Sequence, residues 1–159
     1  MGGDGAGRVG HNKVKGLIKM SAVLRAYGVD LDVDAFLAGC TLPVCAALRR
    51  GEPVLPATRP NGHRHERSGI HILASDAGFH EFSRQVEEAS TFLRDNLVQL
   101  RRLCTFPGVE DASLDFGVAR RNVMVQCDCL PADFVRLAAA LGLSIEVSQY
   151  PAEETADGV

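Results

Sequence analysis

The sequence predicts an α+β fold: a two-layer sandwich with a largely antiparallel sheet, helices on one face and a ferredoxin-like order of elements. Three observations carry this. Apolar residues recur at steps of three and four across residues 79–104, the signature of one buried helical stripe. They alternate at period two around Ile70, Ile72 and Ala74, again at Leu114, Phe116 and Val118, and again through Leu143-Ser144-Ile145-Glu146-Val147. The two patterns interleave as β-α-(β)-β-α-β-β-α-β, which places amphipathic helices beside half-buried strands.

The elements follow in chain order. Residues 17–27 are apolar and turn-bounded, and read as a strand. A short helix over 31–39 follows. Asp32 is placed to cap its first amides, Leu31 and Phe36 to form a hydrophobic staple, and Gly39 to take a left-handed stop. Pro43, Pro53, Pro56 and Pro60 break any long element in 40–62, leaving two short extended pieces, one near Val54-Leu55. Residues 64–75 read as one strand. Without a bulge, parity puts His63, His65, Arg67 and His71 on the face opposite Ile70, Ile72 and Ala74. The stripe Phe79, Phe82, Val86, Ala89, Leu93, Leu97, Leu100 and Cys104 makes a long helix that Pro107-Gly108 ends.

A hairpin is expected next. Its first strand carries Leu114, Phe116 and Val118, and Arg120-Arg121-Asn122 makes the turn. Its return strand carries Val123, Val125, Cys127 and Cys129 toward the core. Pro131 opens a helix where a missing amide costs least, with Phe134, Leu137, Ala138 and Leu141 as its buried stripe and Gly142 as its stop. The alternating strand 143–147 closes the fold.

At 159 residues the chain fits one domain, read as 17–150, with a flexible Gly-rich lead at 1–16 and a flexible acidic tail at 151–159. Hydrophobic residues at 46% and charged residues at 23% exclude wholesale disorder. The net charge of −3 gives no global reason to expect nucleic acid or an anionic membrane. Gly3, Gly5, Gly7 and Gly10 follow no strand, so they lack the context of a dinucleotide-binding turn. Nothing resembles a signal peptide or a membrane span of about 18 apolar residues. Five cysteines with no secretory signal argue against a disulfide framework and for a cytoplasmic setting.

Several short motifs lie along residues 20–150. Gly28-Val29-Asp30-Leu31-Asp32-Val33-Asp34 makes an Asp-rich helix start. Pro43 and Arg49-Arg50-Gly51 make a proline and a basic-Gly turn. Ser68-Gly69-Ile70-His71-Ile72-Leu73-Ala74-Ser75 is a strand ending in Ser. Leu141-Gly142 leads into a strand closing on Tyr150. In these motifs the chain resembles a widespread bacterial family of domains of unknown function, some of whose members look like immunity proteins that neutralise toxins. It departs at His71, where the family has an aromatic, often Trp, and in the Pro-rich 40–62 stretch. The resemblance implies a non-enzymatic module that binds another protein through an exposed sheet face or the Pro-rich segment, as a monomer or homodimer. It carries no catalytic signature and implies no cofactor.

Among candidate ligands, His63 and His65 form the plausible metal pair, with a further donor such as His80 or a cysteine from elsewhere. His71 is too far for the same ion, since eight residues of straight strand span about 26 Å. Cys127-Asp128-Cys129 has C-x-C spacing rather than that of thioredoxin-like or zinc-knuckle sites, and strand parity turns both thiols toward the core, where they act as small hydrophobes. Cys40 and Cys45 bracket Pro43 without a second ligand motif. Asp30, Asp32 and Asp34 open like a calcium loop, but Ala35 and Thr41 stand where Gly and Glu are required. The arginines of the middle segment are not interleaved with stacking aromatics, which argues against RNA. There is no P-loop, nucleophile elbow or H-E-x-x-H motif; His80-Glu81 is half of the last. Two alternatives to protein binding stay open: a small-ligand or transition-metal module around His63 and His65, and an enzyme whose site is assembled from distant loops.

Overall fold

The computed structural model describes residues 21–151. The expected lead, the first residues of the first strand and nearly all of the tail lie outside them. Eleven elements run β1 (Ala22–Gly28), α1 (Val33–Leu37), β2 (Val44–Leu48), β3 (Pro53–Leu55), β4 (Arg59–Arg64), β5 (Ser68–Ser75), α2 (Phe82–Asp95), α3 (Leu97–Cys104), β6 (Asp111–Ala119), α4 (Ala132–Ala140) and β7 (Ser144–Tyr150). The fold is mixed α+β. Five strands make one mostly antiparallel sheet in the order β2-β5-β1-β6-β7. All neighbours are antiparallel except β6 and β7, which α4 joins by a crossover and which run parallel. β3 and β4 pair only with each other, forming a two-stranded arm.

Period-two alternation decides where the core sits. Ala22, Leu24 and Ala26 of β1, Ile70, Ile72 and Ala74 of β5, and Leu114, Phe116 and Val118 of β6 form one buried surface with Phe82, Val86, Ala89 and Leu93 of α2. Phe116 is its hub, edge-on to Phe82 at 5.5 Å and to Phe134 of α4 at 5.6 Å. Both Phe116 and Phe134 are fully buried, and each contributes roughly 1.5–3 kcal/mol of apolar transfer. Leu31 and Phe36 are buried as the staple requires, and the Asp32 carboxylate accepts the Ala35 N–H at 2.9 Å. Gly142 takes a left-handed φ of 74°, as its place after α4 predicts.

Five expectations need correction. Gly39 is not a left-handed stop. The short α1 ends at Ala38, and Gly39 instead leaves room for the Arg102 guanidinium, which a Cβ there would meet at 3.3 Å. The strand expected over 64–75 is two strands with a bend between them. His65 exchanges backbone hydrogen bonds with Gly51 and Glu52, which turns the chain out of the arm and into the sheet. Parity therefore does not carry from His63 to His71.

The long helix starts later than Phe79 and divides at Asn96. A turn closed by Glu81 N–H to the Gly78 carbonyl precedes it. At the break, the Asn96 side-chain amide also donates to the Phe92 carbonyl and competes with the regular ladder. The hairpin after β6 has no return strand. β1 and β7 already occupy both edges of β6, so no free edge remains for residues 121–129. Those residues form an irregular loop, and Cys127 and Cys129 are exposed rather than turned into the core. Lastly, the Pro-rich stretch holds more strand than expected: β2, β3 and the start of β4.

Candidate functional site

Residues of the opposite parity to the core make the sheet's other face, and this face is polar where it crosses the central strands. Antiparallel register sets Arg25 beside His71 on one side and Ser113 on the other, so side chains from four strands meet diagonally. The Tyr27 hydroxyl and His71 Nε2 lie 2.6 Å apart. Arg25 Nη2 reaches Asp115 Oδ2 at 2.8 Å, and the Ser148 hydroxyl donates to Asp115 Oδ1 at 2.8 Å. Asp115 is only 4% exposed, and these two partners satisfy its buried carboxylate oxygens. The Tyr27 ring lies directly over Gly69, where a Cβ would sit 2.5 Å from it.

Arg67 extends the row. Its guanidinium pairs with Asp111 and with Glu110 at 3.1 Å, and it stands 5.6 Å over the Tyr27 ring. Arg25, Tyr27, Arg67, Asp111, Ser113 and Glu146 line a cleft of about 360 Å³. The Nε atoms of Arg25 and Arg67 are buried without a hydrogen-bond partner among the described residues. The cleft thus presents cationic donors beside anionic acceptors.

Burial is the largest influence on the titratable groups of this face. Burial, then the neighbouring Arg25 and His65, hold His71 below the ordinary histidine value of 6.5. Burial pushes the Tyr27 phenol up, against the partly opposing fields of its neighbours. Tyr27 therefore keeps its proton and donates it to an unprotonated Nε2, which puts the His71 ring proton on Nδ1. Cys45 sits at the bulge in β2, and Arg25 acts on its thiol. Burial raises that thiol, which keeps it protonated and opposes a nucleophilic role.

The His71 shift makes a prediction. Unfolded chain takes up the histidine proton first, so the stability from neutral His71 is complete above pH 6.5 and is lost as pH falls from there toward the folded pKa. Thermal unfolding between about pH 7 and about pH 5 is expected to show a steeper loss in wild type than in His71→Gln. Equal slopes would show that His71 titrates as it does in the unfolded chain.

The residues expected to bind metal lie elsewhere. His63 is exposed on β4 of the arm, and His65 is half-buried in the bend after it. His80 lines a different cleft beside Cys127 and Cys129. Cys40 and Cys104 are half-buried, and burial lifts the Cys104 thiol to about 11. Among the described residues no three or more His, Cys, Asp or Glu side chains are grouped to hold a metal ion. Of Asp30, Asp32 and Asp34, Asp32 caps α1 and Asp34 pairs with Arg49.

Sequence reading missed Arg25, Tyr27, Asp115 and Ser148. The available signal was a charged residue at the non-core parity of two otherwise apolar strands, Leu24-Arg25-Ala26 and Leu114-Asp115-Phe116. Their pairing needs the β1–β6 register, which spans some ninety residues of chain.

No protein-family model matches the chain, and neither a curated protein nor a solved structure matches it. Among the described residues no helix is long and apolar enough to cross a membrane.

Proposed function

We propose that this domain is a non-catalytic interaction module that receives an acidic segment of another protein on its two-stranded arm. The observation that carries this is the charge of the arm. Residues 49–67 hold five arginines against two glutamates in a chain whose net charge is −3. Arg49 and Arg67 are spent on Asp34 and on Glu110 and Asp111. Arg50, Arg59 and Arg64 are exposed and make no salt bridge among the described residues. Val54 and Leu55 of the same arm are 45% and 52% exposed and offer apolar surface. Arg50, Arg59 and Arg64 steer an acidic partner by their field, and the exposed apolar side chains add contact area.

The ferredoxin-like, two-layer reading belongs to the same proposal. The order β2-β5-β1-β6 with antiparallel neighbours supports it, with β7 as an added parallel strand. α1 and α2 pack on β5, and α2 also packs on β6, which supports helices gathered on one side. An immunity-like role, in which the partner is a toxin, is one form of this reading.

The test compares wild-type full chain with Arg50→Glu/Arg59→Glu/Arg64→Glu as bait in extract of the native cell. A partner held by wild type, released by raised salt and absent from the variant is the expected result. Recovery of no protein, or equal recovery by both baits, overturns the proposal. The three side chains are exposed, but Arg64 also donates to the Gly51 carbonyl at 2.5 Å, so circular dichroism and a second bait, Arg50→Glu/Arg59→Glu, separate loss of charge from loss of the arm.

A further inference from the structure

The loop 120–130 stands outside the sheet that its alternating pattern predicts it to join, and it holds two thiols apart from the arm and the polar cleft. Cys127 and Cys129 are free, exposed and both line one cleft of about 440 Å³ between this loop and the start of α2. We propose that the two form a dithiolate site for a soft monovalent cation, with copper(I) as the biological case.

Spacing and bracing carry the argument. The two thiols are separated by one residue in the chain and open onto the same cleft, so side-chain rotation can bring the sulfurs to the roughly 4.6 Å that two opposed metal–thiolate bonds of about 2.3 Å require. The loop is braced by its own side chains. Arg121 donates to the Cys127 carbonyl at 3.4 Å and to Asp128 at 3.2 Å, while Gln126 donates to the Ala119 carbonyl at 3.2 Å and to Asp128 at 3.0 Å. Little chain ordering is left for binding to offset.

The donor set selects the ion. Zinc in a structural site takes four ligands, and no group of three or more donors exists here among the described residues. Copper(I) is soft, prefers thiolate and is satisfied by two of them. Each thiol releases its proton to solvent on ligation, and no electron moves. The resulting anionic complex sits beside the Arg121 guanidinium. Arg84 faces it from α2, and the nearby Glu81 carboxylate is engaged by that same Arg84 and by the Gly78 N–H. The site shares no residue with the arm or the polar cleft, so it stands or falls independently of the interaction reading.

The test titrates reduced, full-length protein anaerobically with copper(I) against a coloured copper(I) chelator, with native mass spectrometry for stoichiometry. One copper per chain is expected for wild type, for Cys45→Ser and for Cys104→Ser. None is expected for Cys127→Ser or Cys129→Ser, with unchanged circular dichroism, since both thiols are exposed. Equimolar zinc is expected to leave the copper in place. Failure of wild type to take copper from the chelator, retention by Cys127→Ser or Cys129→Ser, or displacement by zinc would each overturn the proposal.

Discussion

Gly28→Ala is expected to cost about 4 kcal/mol or more, enough to leave much of the protein unfolded at ordinary temperature. The end of β1 is packed backbone to backbone against the turn before β6. A Cβ on Gly28 would stand 1.7 Å from the Gly108 carbonyl oxygen and 2.8 Å from its carbon. Neither chain can yield. Gly108 itself sits at φ 86°, and its own Cβ position is 2.4 Å from the Asp30 carbonyl oxygen. The two segments are tied by Glu110 N–H to the Tyr27 carbonyl at 2.8 Å and by Val29 N–H to the Glu110 carboxylate at 3.2 Å. Relief of the clash must break these bonds and lift β1 from the register that aligns Arg25 with Ser113.

Gly51→Ala is the internal comparison. Gly51 has φ 83° but nothing within 4 Å of its Cβ position, so only the backbone cost of about 1 kcal/mol applies. Urea unfolding of both variants gives the two numbers directly. Similar losses would mean that the β1 end separates from the turn without penalty.

Arg25→Ala is expected to cost about 3 kcal/mol, the range for removing one partner of a buried ion pair. Asp115, 4% exposed in the intact pair, keeps only the Ser148 hydroxyl as a side-chain partner. The reverse change is milder. Arg25 is 30% exposed, so Asp115→Ala leaves a guanidinium that still reaches water. The double variant Arg25→Met/Asp115→Leu is expected to recover most of the loss, because well-packed apolar groups replace both desolvated charges. Denaturant midpoints at unchanged slope measure all three. If Arg25→Ala and Asp115→Ala lose the same small amount, the pair behaves as a surface contact.

How much was legible follows from the range of each interaction. The Asp32 cap, the Leu31–Phe36 staple, the Gly142 stop and the core parity of β5 and β6 involve residues a few positions apart and are legible in spacing, whereas β1 reads only as an apolar segment. The hairpin expected after β6 failed for a non-local reason. Val123 to Cys129 has a fair alternating pattern, but a strand needs a free edge, and β1 and β7 take both edges of β6. The same competition moved Cys127 and Cys129 from an expected core to an open cleft. The 64–75 strand was split by His65, whose backbone pairs with Gly51 and Glu52 across the arm.

The sequence by itself determined the mixed α+β class, the helical stripes and the core-facing residues of β5 and β6, because burial is written as a periodicity within each element. Only the tertiary structure decided which strands are neighbours. That choice joins Arg25 to Asp115, sets Tyr27 against His71 and leaves the 120–130 loop outside the sheet. Strand pairing is a contest for backbone donors and acceptors among segments far apart in the chain, and no single segment encodes its outcome.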